Sequence, residues 1–248
     1  MLVEHAAAPA SSNWLSALGV LGGMGPLATA HFYQQLIALT PAERDQDHLP
    51  VVLWADPSVP DRTAAVLGQG DSPVPAMLRG IRWLQAAGTD LVAVPCNTAH
   101  AFFDQIVTHT EVRLIDMVLE SVRTAQCEQP AAGKVGVLCT EGTRVAQLYE
   151  RAARTQDVEL VQVDARTQRR SVDVAIGLVK ARPADHDALA AAAEHITLAA
   201  ARLVELGAEV VIAACTEIPL VMSGASRIVP MIDSTGCLAA AALAALRK

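Results

Sequence analysis

Aromatic and charged residues are scarce in this sequence. Aromatic residues make up 3% and charged residues 18% of the 248 positions, whereas 52% are hydrophobic. The net charge of -7 gives an average field that repels nucleic acids and anionic membranes. The one dense basic cluster, residues 165–170, contains no aromatic residue on which a base could stack. We therefore expect neither a nucleic acid nor a membrane as a partner.

Long apolar runs and paired cysteines are also missing. No stretch approaches the roughly 20 apolar residues that span a bilayer, and the first residues lack the charge and apolar core of a secretory signal. The five cysteines are widely spaced and include no Cys-x-x-Cys pair, which argues against a disulfide framework and a structural zinc site. We expect a cytoplasmic protein without a bound metal, with residues 1–13 forming a disordered lead-in.

Lysine occurs at three positions only, Lys134, Lys180 and Lys248. Pyridoxal phosphate needs a lysine for its Schiff base. Lys134 leads into a predicted strand and Lys248 is the last residue, while no phosphate-binding loop is recognisable beside Lys180. The sequence therefore disfavours this cofactor and favours Lys180 as a carboxylate-binding residue.

Short apolar runs alternate with longer segments of helical period, which is typical of a parallel sheet with crossover helices. The fold class is therefore α/β. The predicted strands are residues 18–21, 51–54, 91–95, 135–138, 160–163, 210–214 and 228–231. The predicted helices include residues 29–39, 75–87, 143–155 and 187–206.

The sequence also repeats itself. Gly-Val-Leu at 19–21 recurs 117 residues further on, at 136–138. Two further pairs of similar segments are 88–96 with 207–215, offset by 119 residues, and 114–116 with 231–233, offset by 117. Three matches in the same order with nearly equal offsets indicate two halves of like topology.

The repeat predicts two similar domains. Each is a parallel sheet flanked by helices, and an approximate two-fold axis relates them. We predict that the first domain comprises residues 14–117 together with 234–248, and that the second comprises residues 118–233. A site between the domains follows, because ligands of open parallel sheets bind beyond the carboxyl ends of the strands.

Cys96 and Cys215 occupy matching positions of this repeat, each at the end of an apolar segment. A lone cysteine is often a small buried hydrophobic residue, but polar residues follow both of these. The symmetry would place the two thiols on opposite walls of one cleft. Cys127, Cys139 and Cys237 have no such symmetry, and we interpret them as packing residues.

Two facing thiols suit a reaction that removes a proton from one face of a carbon and returns one to the other. A thiol with a pKa of about 8.5 can serve as acid or as base after modest tuning. Racemisation of an amino acid also requires stabilisation of carbanionic charge on the carboxylate. Asn97, Thr98 and Thr216, which follow the cysteines, are placed to provide it.

The glycine-rich segment 23–28 permits another interpretation. It fits the dinucleotide-binding pattern Gly-x-Gly-x-x-Gly/Ala. The next acidic residue at a strand end is Asp56, which lies 33 residues beyond Gly23 rather than the roughly 20 expected. A nicotinamide enzyme also leaves the duplicated cysteines unexplained, so we disfavour it.

Four segments carry a resemblance to a known family. The sequence resembles the aspartate/glutamate racemases, in particular the aspartate-racemase-like branch. The matching segments are 19–29, Val-Pro-Asp-Arg-Thr at 59–63, Pro-Cys-Asn-Thr-Ala-His at 95–100 and Cys-Thr-Glu-Ile-Pro-Leu at 215–220. They occur in the expected order and span nearly the whole chain.

The resemblance implies two α/β domains with the active site between them, no cofactor, and Cys96 and Cys215 as the acid/base pair. It implies that Asn97, Thr98 and Thr216 bind the α-carboxylate or ammonium end of the substrate. A homodimer is also expected.

The same resemblance implies that the substrate is aspartate or glutamate. Met24 would lie at the pocket, and Arg62 and Lys180 would hold the side-chain carboxylate. Arg62 suits this role independently, because a guanidinium can bind a carboxylate with two hydrogen bonds. Thr140 and Glu217 complete the predicted substrate-binding residues.

Glu217 stands where glutamate racemases usually have histidine, which favours the aspartate-type or a broad-specificity branch. It could polarise Cys215 or cap a helix. His100, four residues after Cys96, could face the site or be structural.

Two departures from the family pattern concern the substrate side chain. Ala-Arg-Pro follows Lys180 where the family often has glycine, and Trp-Ala-Asp at 54–56 precedes the Arg62 segment. Two alternatives therefore stay open. One is a related two-cysteine isomerase with a non-acidic substrate, and the other is a non-catalytic amino-acid-binding protein.

Overall fold

The computed structural model describes residues 14–129 and 132–248, so the predicted lead-in 1–13 lies outside the described residues. The described chain forms two four-stranded sheets in which all strands are parallel. The strands are β1 (Leu18–Gly22), β2 (Val51–Ala55), β3 (Leu91–Ala93), β4 (Arg113–Leu114), β5 (Val135–Cys139), β6 (Leu160–Gln162), β7 (Val210–Ala214) and β8 (Met231–Asp233). The orders β2-β1-β3-β4 and β6-β5-β7-β8 are the same arrangement used twice, which confirms the predicted fold class.

Helices connect the strands. They are α1 (Pro26–Leu39), α2 (Arg62–Val66), α3 (Val74–Ala86), α4 (Phe103–Val107), α5 (Met117–Glu128), α6 (Glu141–Val145), α7 (Leu148–Thr155), α8 (Ala165–Thr167), α9 (Asp173–Ala181), α10 (His186–Glu205) and α11 (Ser234–Leu246). Aspartate side chains accept backbone N–H groups at the starts of several helices, as Asp116 does for α5 and Asp233 for α11. None of the described helices combines the length and apolarity needed to cross a membrane.

The repeated glycines Gly19 and Gly136 lie at equivalent positions in the central strands β1 and β5. Both strands are buried along their whole length, because helices cover both faces of each sheet. A Cβ added to Gly19 would lie 2.7 Å from Thr89 Oγ1, and one added to Gly136 would lie 2.9 Å from a Leu203 methyl group. Glycine recurs at this position because the residues that pack over each central strand leave no room for a Cβ atom.

The predicted strand at 228–231 is wrong in position. Residues Ala225–Arg227 form a short 3₁₀-helix, Ile228 lies in a turn, and β8 begins only at Met231. Val229 is buried in this turn and packs against the core of the second half. An apolar residue is therefore needed here, and the segment resembles a strand in composition. The sequence also did not reveal β4, because two residues are too short to show a period.

The predicted helix at 143–155 is two helices, α6 and α7. Gln147 separates them in the left-handed region, with φ of 51°. Tyr149, the second residue of α7, is fully buried. The predicted helices 29–39, 75–87 and 187–206 correspond to α1, α3 and α10.

The long helices α5 and α11 cross between the halves of the chain. Leu238 and Leu246 of α11 pack with Leu18 of β1 in one hydrophobic core. Val118 and Val122 of α5 lie in the core of the second sheet. The predicted division into 14–117 with 234–248 and 118–233 stays a prediction.

Candidate active site

A narrow cleft lies where the carboxyl ends of the two sheets meet. Its open volume is about 10 Å³, close to that of a single water position. All the residues that the sequence predicted for the site line it, namely Met24, Arg62, Cys96, Asn97, Thr98, Thr140, Lys180, Cys215, Thr216 and Glu217. Asp61 and Thr63 also line it and were not predicted, although both flank Arg62 in the matching segment.

Cys96 follows β3, where the chain turns into a 3₁₀-helix, Asn97–Phe102. The Cys96 N–H donates to the Val94 carbonyl at 2.7 Å, which closes the turn. The cysteine is 6% exposed and faces the cleft from the first half of the chain.

His100 holds this turn from behind. The Met117 N–H donates to His100 Nε2 at 3.1 Å, so Nδ1 carries the proton and donates to the Cys96 carbonyl at 3.0 Å. Burial lowers the pKa of His100, and the nearby Asp116 carboxylate opposes this only in part. A neutral imidazole with both nitrogens in use has a structural role, which decides between the two interpretations of this histidine.

The Asn97 side chain is fixed by residues of the later part of the chain. The Tyr149 hydroxyl donates to Asn97 Oδ1 at 2.6 Å, and Asn97 Nδ2 donates to Ser234 Oγ at 3.1 Å. Ser234 in turn donates to the Ala213 carbonyl at 2.7 Å. These bonds orient the amide and leave one of its N–H groups for another acceptor.

Three threonine hydroxyls form a cluster between the halves. Thr98 Oγ1 lies 2.8 Å from Thr140 Oγ1 and 3.0 Å from Thr143 Oγ1. Thr140 also caps α6, because its hydroxyl accepts the Thr143 N–H at 3.1 Å. The cap positions the start of α6 against the Cys96 segment.

Cys215 follows β7 directly and lies beside a buried carboxylate. Its thiol donates to Glu217 Oε2 at 3.0 Å, and the Thr216 hydroxyl donates to the same oxygen at 3.2 Å. Burial raises the pKa of Cys215 well above its usual value, and the Glu217 carboxylate raises it further. At neutral pH Cys215 is therefore a thiol.

Lys180, on α9, faces the same carboxylate. Its Nζ lies 4.0 Å from Glu217 Oε1. Burial alone would lower the pKa of Lys180, but nearby negative charge, above all that of Glu217, outweighs it, so the pKa is raised. The lysine is charged, and Glu217 offsets much of that charge.

Arg62 is the first residue of α2, and its guanidinium is held mainly by backbone carbonyls. Nη1 donates to the carbonyls of Val59 and Pro60, both at 3.0 Å, and Nη2 makes a longer bond of 3.4 Å to the Met24 carbonyl. Nε is buried and has no hydrogen-bond partner. The Nε/Nη2 edge is the one that binds a carboxylate with two hydrogen bonds.

The glycine-rich segment has a packing explanation. Gly23 has φ of 91°, and an added Cβ would lie 2.4 Å from the backbone of Asp56. Its N–H donates to Thr29 Oγ1 at 2.9 Å, which ties the turn to α1. This close approach of the chain after β2 requires glycine and brings Met24 to the cleft.

The other cysteines differ from one another. Cys139 and Cys237 are buried, and burial raises the pKa of both, to about 11 for Cys237. Cys127 is exposed on α5, so its predicted packing role is wrong. Cys127 is the penultimate residue of α5, which ends at Glu128. Within the described ranges, no three His, Cys, Asp or Glu side chains are grouped as metal ligands.

Known proteins match this chain over most of its length. A sequence model described as Asp/Glu/Hydantoin racemase matches residues 21–242. The chain belongs to that family. The broad specificity amino-acid racemase RacX of Bacillus subtilis (strain 168) is 29% identical over 231 residues, which are 90% of this chain and 94% of that protein.

Solved structures of the family have the same fold. The Picrophilus torridus aspartate racemase matches with a TM-score of 0.80 and 32% identity, over 94% of this chain and 95% of that one. The glutamate racemase RacE1 of Bacillus anthracis matches with a TM-score of 0.67 over 93% of this chain and 81% of that one. At 19% identity, the second likeness concerns the fold alone. Family membership confirms the predicted family and enzyme class, an amino-acid racemase.

Proposed function

We propose that this racemase interconverts the enantiomers of an acidic amino acid, aspartate or glutamate, and that Cys96 and Cys215 exchange the α-proton without pyridoxal phosphate. The observation that carries the proposal is the convergence of both thiols on one narrow cleft. Each thiol reaches the cleft from the end of an equivalent strand, β3 or β7. The name of the Picrophilus torridus relative, an aspartate racemase, supports the same substrate class.

The cleft offers hydrogen-bond donors for both carboxylates of an acidic amino acid. The Nε/Nη2 edge of Arg62 binds the side-chain carboxylate. The remaining N–H of Asn97 and the hydroxyls of Thr98 and Thr216 hold the α-carboxylate. Charge that develops on the α-carboxylate during proton removal is stabilised by these donors, which are already oriented.

Proton transfer requires one cysteine as the thiolate and the other as the thiol. In one direction the Cys96 thiolate takes the α-proton, and the electron pair of the C–H bond is delocalised onto the carboxylate. The Cys215 thiol then gives its proton to the opposite face of Cα. The product is the inverted amino acid, with Cys96 as thiol and Cys215 as thiolate.

The reverse direction starts from the second state. Cys215 is the base and Cys96 the acid, so the other enantiomer needs no additional group. Lys180 stabilises the Cys215 thiolate by its charge, whereas Glu217 favours the thiol. We propose that these two residues balance the two protonation states of Cys215.

A cytoplasmic location is part of the proposal. A homodimer is predicted from the resemblance to the family.

The test replaces each cysteine separately. Cys96→Ala and Cys215→Ala should each lower racemisation of aspartate and glutamate by at least about a thousandfold, because either change removes the acid or the base. Chiral chromatography measures racemisation, and mass spectrometry measures deuterium uptake at Cα from D₂O. Each variant should retain exchange with only one enantiomer.

Cys127→Ala is the matched control, because it removes an exposed thiol from α5, away from the cleft. It should keep wild-type activity. Wild-type racemisation in either cleft variant would contradict the two-cysteine mechanism. Racemisation of other amino acids but not of aspartate or glutamate would contradict the acidic substrate.

A further inference from the structure

A second cavity adjoins the catalytic cleft. Its volume is about 310 Å³, within the range of roughly 300–1,000 Å³ that is typical of small-molecule pockets. Asp61, Arg62, Lys180 and Glu217 line both spaces and so form the wall between them. We call this second space the side-chain cavity.

The rest of the side-chain cavity is apolar. The start of α1 provides one side with Pro26, Leu27 and Ala28, and α9 with the residues after it provides Val179 and Pro183. A Cβ added to Gly25 would lie 3.5 Å from Glu217 Oε1, so the start of α1 lies directly beside the shared wall. A substrate side chain that extends from the cleft past this wall would therefore contact apolar groups.

The charges of the shared wall balance. Arg62 and Lys180 are cations, and Asp61 and Glu217 are carboxylates. Lys180 already faces Glu217 at 4.0 Å, and Arg62 has a single free edge for one carboxylate. An uncharged side chain of the substrate can pass this wall without introducing a charge that lacks a partner.

The two spaces also differ in how open they are. The cleft has room for about one water molecule, so the substrate backbone must widen it. The side-chain cavity is already open at about 310 Å³. Apolar groups placed there are removed from water, and this burial favours the binding of longer side chains.

We propose that the side-chain cavity accepts the outer part of long, uncharged side chains, and that the enzyme therefore also racemises amino acids of the norleucine and methionine class. This inference rests on the proposed two-cysteine function, because it concerns the same reacting carbon. The broad specificity named for the Bacillus subtilis relative agrees with a substrate range beyond acidic amino acids.

The experiment fills the side-chain cavity and measures selectivity. Leu27 is 39% exposed at the start of α1, so Leu27→Trp can fill the cavity without disturbing the core. We expect kcat/KM for norleucine and methionine to fall by about tenfold or more, because several methylene contacts are lost. Activity with aspartate and glutamate should change by less than about twofold, since their side chains end at the wall.

Two further variants make the result specific. Pro183→Trp fills the cavity from the opposite side at an exposed position and should give the same selective loss. Ile37→Trp is the matched control, because Ile37 is exposed on the same helix α1 and lines neither space. It should leave all activities unchanged, and circular dichroism verifies that each variant folds.

The outcomes separate the inference from the proposed function. If the wild-type enzyme racemises aspartate or glutamate but neither norleucine nor methionine, the inference is wrong and the proposed function stands. Equal slowing of all substrates by Leu27→Trp would identify the cavity as an entrance and also overturn the inference. Racemisation of norleucine alone supports the cavity and overturns the acidic substrate, whereas no racemisation of any amino acid overturns both.

Discussion

Cys96 and Cys215 lie at equivalent ends of two like sheets, but the residues that follow them differ. Asn97 and Thr98 follow the first, and Thr216 and Glu217 follow the second. The repeat therefore places two similar thiols, and these neighbours give them different environments. Burial and the neighbouring carboxylate of Glu217 raise the pKa of the Cys215 thiol.

Tyr149 is a residue whose role can be tested separately from its packing. We expect Tyr149→Phe to lower kcat about tenfold with aspartate or glutamate, because Asn97 Oδ1 loses its donor and the amide is no longer held in one orientation. The free energy of unfolding should fall by only about 1 kcal/mol. Steady-state kinetics and urea denaturation measure the two effects.

Tyr33→Phe is the control, because it makes the same change at an exposed position on α1. It should alter neither quantity. A Tyr149→Phe enzyme with lower stability but unchanged kcat would show that the hydroxyl only supports the fold.

Helices α2 and α6 bring the halves of the chain together at the scale of elements. Gly142, in the first turn of α6, faces Thr63 of α2, where an added Cβ would lie 2.8 Å from Thr63 Cα. The same Cβ would lie 3.0 Å from the Thr98 methyl group. Because α2 begins with Arg62, this contact determines where the guanidinium lies.

We expect Gly142→Ala to raise KM for aspartate or glutamate about tenfold, because the methyl group displaces α2 and with it Arg62. The higher helix propensity of alanine offsets part of the loss of stability, by about 1 kcal/mol. Steady-state kinetics with both enantiomers measure KM.

Gly177→Ala provides the comparison, because Gly177 lies on α9 with nothing near its added Cβ. That variant should keep the wild-type KM and gain about 1 kcal/mol of stability. An equal KM in the two variants would contradict the proposed positioning of Arg62 by the contact between α2 and α6.

The whole molecule contains several buried groups that resist ionisation. Burial raises the pKa of Cys139, Cys215, Cys237 and Tyr149. In the unfolded chain these groups ionise at ordinary values, so at high pH the unfolded state releases protons that the folded state retains. Their contribution to stability is complete below the unfolded pKa values and is lost as pH rises.

We predict that the free energy of unfolding falls between pH 9 and pH 11. Cys237 alone accounts for about 1.4 kcal/mol per pH unit in this window, since its pKa rises from 9.0 to about 11. Urea denaturation at several pH values measures the slope, and Cys237→Ala should flatten it by about that amount. Cys127→Ala, which removes an exposed thiol, is the comparison. A slope that stays the same in Cys237→Ala would contradict the assignment.

Much of the fold and the composition of the site could be predicted from the sequence. Gly19 and Gly136 mark the central strands because glycine is needed where the next layer packs closely. Cys96 and Cys215 end equivalent apolar segments, and all the predicted site residues line one cleft. These features depend on short segments, whose strand period and end residues are visible locally.

Other features depend on residues far apart in the chain. The bond from Asn97 to Ser234 and the approach of Gly142 to Thr63 have no local signal. The segment 228–231 has the apolar composition of a strand, but Ile228 and Val229 lie in a turn, and Val229 packs in the core of the second half.

The sequence by itself determined the duplicated α/β topology, the family and the identity of the residues at the cleft. Only the tertiary structure decided how those residues are paired, which edge of Arg62 is free, and that an apolar cavity lies beyond Glu217 and Lys180. The physical reason is that backbone periodicity is a property of neighbouring residues, whereas hydrogen bonds, burial and cavity shape arise where the two halves pack against each other.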